Sequence, residues 1–133
     1  MHEALLLDVL VVDDSRVFRD LVALLLENDG FSVRTAVDGA DALAQMEAQA
    51  PDALILDLMM PGLGGVEMLE LISERSLAPD AYIVVLTADD DPGRPAELQK
   101  LGAREVVVKP IDSEQLGRSL RAHFDAKAVA AEL

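Results

Sequence analysis

The sequence predicts a doubly wound α/β fold, in which helices cover both faces of one parallel sheet. Two observations carry this prediction. The chain has four short, uninterrupted apolar runs, which are typical of strands buried in a parallel sheet, and a fifth segment in which apolar and polar residues alternate. Each of the five is followed by a segment with the 3.6-residue apolar spacing of a helix, so the unit of strand then helix occurs five times.

The five predicted strands are assigned in chain order. They cover about Asp8 to Val12, Phe31 to Ala36, Ala53 to Leu56, Tyr82 to Leu86 and Val106 to Val108. The second is the alternating segment, which is typical of an edge strand. Because right-handed crossovers place the connecting helices on both faces, the simplest arrangement is the flavodoxin-like strand order 2-1-3-4-5.

Local signals predict where the first three helices begin and which side chains they bury. Helix one begins near Ser15 and ends at Gly30, a residue type that commonly terminates helices. Asp38-Gly39 turns the chain into helix two, and helix three begins at Val66 after a glycine-rich loop. The expected inward-facing positions are Val17, Phe18, Leu21, Val22 and Leu25 in helix one, Ala42, Leu43 and Met46 in helix two, and Val66, Leu69 and Ile72 in helix three.

The last two helices differ in length. The stretch from Ala88 to Pro95 contains three aspartates, two prolines and a glycine, and is predicted to be a loop. Helix four is therefore short and begins late, with Pro95 in its first turn. Helix five begins at the capping sequence Asp112-Ser113-Glu114-Gln115. Its expected inward-facing residues are Leu116, Leu120 and Phe124.

Length and composition indicate one folded, acidic domain. The chain has 133 residues, of which 51% are hydrophobic, and this is enough to bury a core. The net charge of −14 argues against direct binding of nucleic acid through its phosphates. The absence of cysteine excludes disulfides, thiolate catalysis and cysteine-ligated zinc. The predicted domain covers residues 1–125, and the alanine-rich residues 126–133 either extend helix five or begin a linker.

The sequence also predicts a compartment. The longest apolar run, Leu21 to Leu26, is too short to cross a bilayer. The start of the chain, Met1 to Ala4, lacks the cationic segment and long apolar core of a signal peptide. We expect a cytoplasmic protein with no membrane insertion.

Polar residues that can carry chemistry follow four of the predicted strands. The pair Asp13-Asp14 follows the first strand, Asp57 ends the third, Thr87 follows the fourth and Lys109 follows the fifth. The carboxyl ends of parallel strands meet at one edge of a sheet, so these side chains are expected to lie close together. Three carboxylates, a hydroxyl and an ammonium at one edge indicate a site for a divalent metal and a phosphoryl group.

Each residue type suits one part of phosphoryl chemistry. The Asp57 carboxylate can attack phosphorus and form an acyl phosphate, but an anion attacking an anion needs a cation. Mg²⁺ prefers oxygen ligands, including one or two carboxylates, and Asp13 and Asp14 fit that requirement. Lys109 offers a point charge to a phosphate, and Thr87 offers a hydrogen bond. Taken singly, the aspartate pair could be a helix cap, the lysine a surface side chain and the threonine an ordinary strand residue.

At these positions the sequence resembles the receiver domains of two-component response regulators, whose fold is called CheY-like. The resemblance extends from about Asp8 to Phe124. The motifs that carry it are Val11-Val12-Asp13-Asp14-Ser15, Ala36-Val37-Asp38-Gly39, Leu56-Asp57-Leu58-Met59-Met60-Pro61-Gly62, Leu86-Thr87-Ala88, Gly102-Ala103 and Lys109-Pro110.

The resemblance implies a role for each site residue. Asp57 would be the phosphoacceptor. Asp14, Asp57 and the backbone carbonyl of Met59 would bind Mg²⁺ directly, with Asp13 acting through water. The phosphoryl group would be held by Thr87, the backbone amide of Ala88 and Lys109. Pro110 would be the family's cis proline, which helps to aim the preceding lysine.

The resemblance also implies partners. A histidine kinase or phosphotransfer protein would supply the phosphoryl group, and slow self-dephosphorylation would remove it, with no other enzymatic activity. Phosphorylation would change the face formed by helix four, strand five and helix five, and so alter contacts with a downstream protein target. The chain resembles stand-alone receivers; the alternative is the N-terminal receiver of a longer regulator.

The sequence departs from the family pattern at three places. The family usually has an aromatic residue three positions before the lysine, a position that here is Val106. Valine has one stiff torsion and no ring to swing inward, so another route for the signal is expected. Gly64 stands where the family commonly has an aspartate. The third departure is the proline-interrupted segment before helix four.

Other classes also use this fold or this chemistry. Hydrolases of the aspartyl-phosphate type generally need an acid two residues after the nucleophile, and that position is Met59. A nucleotide- or flavin-binding module is disfavoured because the chain lacks a glycine-rich fingerprint and has one Tyr and three Phe for ring stacking. A receiver that has lost its chemistry and only binds proteins is disfavoured by the intact set of five residues.

Overall fold

The computed structural model describes residues 7–132, with side chains excepted at residues 113 and 127–132. Its strands are β1 (Asp8–Val12), β2 (Ser32–Ala36), β3 (Ala53–Asp57), β4 (Tyr82–Thr87) and β5 (Glu105–Val108). Its helices are α1 (Arg16–Asn28), α2 (Gly39–Ala48), α3 (Gly65–Glu74), α4 (Arg94–Lys100) and α5 (Ser113–Glu132). The residues on which the signal-peptide prediction rests lie outside the described part of the chain.

The strands form one parallel sheet in the order β2-β1-β3-β4-β5, which confirms the predicted fold class and strand order. The register brings the ends of neighbouring strands level. Asp57 is opposite Leu86, and Thr87 is opposite Val108. Side chains that follow these strands therefore meet at one edge.

The core has two layers, one on each face of the sheet. Alternate residues of one strand enter different layers, as a pleated strand requires. In β1, Leu10 and Val12 pack with the layer under α2, α3 and α4, whereas Val9 and Val11 pack with the layer under α1 and α5. Every residue of β3 is buried, which explains why its sequence shows no alternation.

The predicted buried face of α1 is partly wrong. Val17 is 80% exposed and Leu21 is 49% exposed, whereas Val22 and Leu26 are buried. The residues that reach the sheet lie on the row Phe18, Val22 and Leu26. Apolar residues occupy more than one side of this helix, so spacing alone could not choose the inward side. The residues Val17, Leu21 and Leu24, which we call the α1 apolar row, are exposed.

The other helices follow the sequence expectations more closely. Helix α4 begins late, at Arg94, with a proline in its first turn. In α3 the buried set also includes Met68, which the spacing argument missed. The predicted core residues of α5, Leu116, Leu120 and Phe124, are all buried. The backbone of residues 126–132 continues α5, and the domain limit at residue 125 stays a prediction.

Among the described residues, no helix is both long enough and apolar enough to cross a membrane.

Gly65 lets α3 begin directly against the loop that follows β3. A Cβ built on Gly65 would lie 2.7 Å from the Cα of Leu58, which is backbone and cannot move aside easily. The neighbouring Gly64 is different, because its nearest atoms would be 4.0 Å from a Cβ. The requirement for glycine is therefore at position 65.

Gly65→Ala should lower the free energy of unfolding by about 1–3 kcal/mol, because a methyl group would be forced into packed backbone. Urea denaturation measures this. The matched control is Gly64→Ser, which adds a capping hydroxyl at the N-cap of α3 and should change stability by no more than about 0.5 kcal/mol. Equal stability of the two variants would contradict this account of the α3 start.

Tyr82 ties the start of β4 to β5 and α5. Its hydroxyl donates a hydrogen bond of 3.0 Å to the carboxylate of Glu105, and its ring lies 4.3 Å from the His123 ring between centroids. Burial raises the pKa of Tyr82 to about 12, and the nearby Glu105 adds to the effect. The neutral phenol is thus favoured in the folded protein.

The stability that Tyr82 supplies should disappear at alkaline pH. A group with a raised folded-state pKa contributes fully below its unfolded value of 10.0 and loses that contribution as pH rises toward about 12. Tyr82→Phe should therefore show a smaller alkaline loss of stability than the wild type. Tyr82 is the only tyrosine, so tyrosinate absorbance reports its titration directly. A midpoint near the unfolded value would contradict the assignment.

Candidate functional site

Four polar residues predicted to form a site meet at the carboxyl edge of the sheet. Asp57 and Thr87 are the last residues of β3 and β4, and Asp13 and Lys109 directly follow β1 and β5. Asp13, Asp57 and Thr87 are almost fully buried, at 1%, 3% and 1% exposure. Burying three polar side chains in an apolar core costs free energy, so their grouping at one edge indicates a functional site.

Three carboxylates form the acidic part of this site. Asp13, Asp14 and Asp57 each offer one oxygen, and these oxygens all lie within 4.8 Å of one another. Asp13 and Asp57 are buried, whereas Asp14 is exposed at the rim. Like charges at this separation repel one another unless a cation or a proton offsets them.

Asp13 has an unused oxygen. Its Oδ1 accepts a hydrogen bond of 2.8 Å from the backbone N–H of Ser15. Its Oδ2 is buried and has no hydrogen-bond partner among the described residues. Burial raises the pKa of Asp13; the Ser15 hydrogen bond opposes this, and the charges of Asp57 and Asp14 add to it.

The acidic cluster fits a bound divalent cation. All of its donor atoms are carboxylate oxygens, the ligands that hard cations such as Mg²⁺ prefer. The buried Oδ2 of Asp13 lacks the partner that a buried polar atom normally has, and a cation or a water bound to it would supply one. The three aspartates could therefore hold a metal ion.

The Asp57 carboxylate is fixed by two donors. Its Oδ1 accepts hydrogen bonds of 3.3 Å from the backbone N–H of Met59 and 3.3 Å from the Lys109 ammonium. The next backbone amide, of Leu58, donates to Leu86 at 2.9 Å and so anchors the end of β3 to β4. Both of these hydrogen bonds end on Oδ1, so Oδ2 is the oxygen that they leave available for chemistry.

Lys109 is held on three sides. Its backbone N–H donates to the carbonyl of Thr87 at 2.8 Å. Its ammonium pairs with Asp57, and lies 5.4 Å from the centre of the Phe18 ring, within cation–π range. The apolar spacing of helix one predicts only that Phe18 belongs to the core, because no local pattern joins a residue of this helix to Lys109. The Lys109–Pro110 peptide bond is cis.

Thr87 ends β4 at this edge, and its hydroxyl is engaged by the loop that follows. Its hydroxyl oxygen accepts a hydrogen bond of 3.0 Å from the backbone N–H of Asp89, in the loop before α4. Ala88, between them, is exposed. Val106 is half-buried and packs against the core layer under α4, so a small aliphatic side chain fills the position expected to hold a ring.

The surface has one groove beside this edge of the sheet and a larger groove away from it. A groove of about 280 Å³ runs beside the site, lined by the loop after Asp57, including Met59 and Gly64, and by Arg94. A larger groove of about 510 Å³ lies between the C-terminal parts of α3 and α4 and includes Lys100 and Arg104. None of the predicted site residues lines the larger groove, so it is separate from the chemistry described above.

Comparison with known proteins places this geometry in a family. The model of the response regulator receiver domain matches residues 9–121. The response regulator MprA of Mycobacterium avium is 40% identical over 114 residues, which are 86% of this chain and 49% of that protein. Protein PilG of Pseudomonas aeruginosa is 33% identical over 117 residues, which are 88% of this chain and 87% of that protein.

A solved structure agrees. The chemotaxis response regulator CheY4 of Vibrio cholerae superposes with a TM-score of 0.82 at 33% sequence identity, covering 89% of this chain and 98% of that one. The chain spans about half the length of the MprA relatives that it matches. Fold, strand-end residues and sequence all lead to the same conclusion: this chain belongs to the family of response regulator receiver domains.

Proposed function

We propose that this chain is the phosphoacceptor of a two-component phosphorelay, in which Asp57 takes a phosphoryl group from a histidine kinase or phosphotransfer protein in the presence of Mg²⁺. One observation carries the proposal. Asp57 is a buried carboxylate at a strand end, 3.3 Å from the Lys109 ammonium and inside an acidic cluster. That combination supports the proposal, because a nucleophile, a cation for the phosphoryl group and a metal-binding set would then act at one point.

The transfer is a displacement at phosphorus. An oxygen of Asp57 attacks the phosphorus of a phosphohistidine, the new O–P bond forms, and the P–N bond breaks with its electron pair passing to the imidazole nitrogen. Lys109 supplies a point charge to the phosphoryl oxygens. The Thr87 hydroxyl and the Ala88 amide would donate hydrogen bonds to them.

The acidic residues would hold the metal. Asp14, Asp57 and the backbone carbonyl of Met59 would be direct ligands, and Asp13 would act through water. When bound, Mg²⁺ supplies positive charge between the carboxylates and the phosphoryl group. The buried, unpartnered Oδ2 of Asp13 supports this assignment, because a metal-bound water would donate a hydrogen bond to it.

A protein donor is supported by the α1 apolar row. Val17, Leu21 and Leu24 are exposed on the helix that begins three residues after Asp13. Exposed apolar side chains grouped beside a site often mark a protein contact. A small phosphodonor would not need this surface.

The output is proposed to be a change in protein contacts. The face formed by α4, β5 and α5 would alter when Asp57 is phosphorylated, and so change its contacts with a downstream protein target. The net charge of −14 disfavours nucleic-acid binding by this domain itself. Action as a stand-alone receiver, or as the receiver part of a longer regulator, and a cytoplasmic location stay predictions.

A metal-dependent hydrolase is less well supported. Such an enzyme needs an acid to protonate the leaving group, and the position two residues after Asp57 holds Met59, whose side chain is 72% exposed and carries no proton to donate. Self-phosphorylation and slow self-dephosphorylation are therefore the only reactions proposed.

Acetyl phosphate with Mg²⁺ should add one phosphoryl group, detected by intact mass. Asp57→Asn should abolish the addition because the amide is not a nucleophile, and a chelator should abolish it in the wild type. The matched control is Asp80→Asn, which changes an exposed aspartate and should label normally. Leu21→Asp should also label normally, because the α1 apolar row would serve only a protein donor. Unchanged labelling in Asp57→Asn would refute the assignment.

Mg²⁺ should raise the melting temperature, because a ligand that binds only the native state stabilises it by about 2.7 kcal/mol at one hundred times its dissociation constant. In metal-free buffer, Asp57→Asn should melt about 3 °C higher than the wild type, since it removes one of three clustered charges. Its amide oxygen can still accept from Met59 and Lys109. Asp80→Asn is again the control.

The Mg²⁺ effect should also depend on pH in a fixed direction. The raised pKa of Asp13 means that its contribution to metal-free stability is present below the unfolded value of 3.8 and is lost as pH rises through the folded value. Stabilisation by Mg²⁺ should therefore be larger at neutral pH than at acid pH.

A clear fall in the metal-free melting temperature of Asp57→Asn would count against a strained cluster.

A further inference from the structure

A chain of three contacts joins the site to α4. The Thr87 hydroxyl oxygen accepts from the backbone N–H of Asp89 at 3.0 Å. The Asp89 carboxylate pairs with Nε of Arg94 at 3.7 Å. Nη1 of Arg94 donates to Glu97 at 3.0 Å. Because Arg94 is the first residue of α4, this chain runs from the buried threonine to the first turn of the helix.

The loop between these residues is itself organised by aspartates. Oδ1 of Asp89 accepts from the N–H of Asp91 at 2.9 Å, and Oδ1 of Asp91 accepts from the N–H of Gly93 at 2.9 Å. The Arg94 N–H donates to the carbonyl of Asp91 at 3.0 Å. A displacement of Asp89 would therefore reach the start of α4 through side-chain and backbone bonds together.

Arg94 occupies a position between two parts of the site. Its side chain is 30% exposed and lines the groove beside Met59 and Gly64, in the loop after Asp57. Its Nε is buried without a hydrogen bond among the described residues, although the Asp89 carboxylate is nearby. The Asp89–Nε contact therefore rests on charge attraction and not on a hydrogen bond, so it can be released at small cost while Nη1 keeps its bond to Glu97.

We propose that Arg94, through its pair with Asp89, holds Thr87 and the start of α4 in the resting, unphosphorylated arrangement. The inference rests on the proposed phosphorylation of Asp57. When the Thr87 hydroxyl turns to donate to the phosphoryl group, the Asp89 N–H loses its acceptor, and the Asp89–Arg94 pair is released. The signal then reaches α4 through this series of contacts.

This series of three contacts takes the place of an aromatic ring at position 106. Val106 is half-buried in the layer under α4 and cannot swing a large group inward. A charged pair that exists in only one of two states biases the equilibrium between them, and does so reciprocally. Loss of the resting contact should therefore favour the phosphoryl-bound state, whereas loss of a merely structural contact would not.

The first experiment measures affinity for beryllofluoride, a phosphoryl mimic, by fluorine NMR with saturating Mg²⁺. Asp89→Asn keeps the backbone N–H but removes the charge that Arg94 meets, and Arg94→Ala removes the other partner. Both should bind beryllofluoride roughly threefold more tightly than the wild type, the scale of a partly exposed ion pair. The double variant should gain no more than either single variant.

Two controls separate this effect from general damage. Arg75→Ala removes an arginine paired at 3.2 Å with Glu47 on another surface, and it should leave the affinity unchanged. Arg94→Lys retains a charge toward Asp89 and should restore the affinity to near the wild-type value. Weaker or unchanged binding in both Asp89→Asn and Arg94→Ala would overturn the proposal.

The second experiment follows hydrogen exchange in α4 with and without beryllofluoride. In the wild type, the mimic should change exchange in residues 94–101 by roughly fivefold. In Asp89→Asn and Arg94→Ala, exchange in the free protein should shift part of the way toward the mimic-bound rate, so the mimic should produce a smaller change than in the wild type. If the mimic changes exchange in both variants as much as in the wild type, the proposed route through Asp89 and Arg94 is wrong, but the proposed phosphorylation is not affected. Failure of the wild type to bind the mimic at all would overturn the proposed function, and the relay with it.

Discussion

The site depends on placing like-charged carboxylates in a buried position at one sheet edge, offset by a single lysine. Asp13 and Asp57 are almost fully buried, and their oxygens lie within 4.8 Å of each other and of Asp14. Lys109, at 3.3 Å from Asp57, offsets part of this charge. The remaining repulsion makes the site ready for a cation, since a bound metal ion would relieve it.

The parallel sheet makes this arrangement possible. Equal register of β3, β4 and β5 places Asp57, Thr87 and Lys109 on adjacent strand ends without any local sequence proximity. The backbone bond from Lys109 to the Thr87 carbonyl holds two of these residues in a fixed relation. Loops supply the rest, and they can move while the strands stay in place. A fixed sheet edge beside a loop that can move would suit the proposed switch.

The strand order and the positions of the strand-end residues could be predicted, because a few apolar runs locate the strands and general rules for crossover connections fix their order. The positions of Asp57 and Thr87 follow from apolar runs and right-handed crossovers. The inward side of α1 did not follow, because Val17 and Leu21 are apolar although they face outward. The contact of Phe18 with Lys109 depends on packing between distant parts of the chain, which no local pattern records.

The β4–α4 loop shows the same limit. Its prolines and aspartates predicted an irregular segment and a late helix, and α4 does begin at Arg94. The sequence could not indicate which aspartate pairs with Arg94, or that Thr87 accepts a hydrogen bond from the loop. Both contacts depend on side-chain geometry. Substitution of valine for a ring at position 106 was visible in the sequence, but the contacts available to replace it were not.

Borohydride reduction tests the central claim most directly, because it converts an aspartyl phosphate to homoserine at the residue that carried it. After incubation with acetyl phosphate and Mg²⁺, peptide mass spectrometry should find homoserine at position 57 and at no other aspartate. Homoserine at Asp13 or Asp14 would contradict this account of the site. So would the absence of homoserine in a sample whose intact mass shows that a phosphoryl group was added.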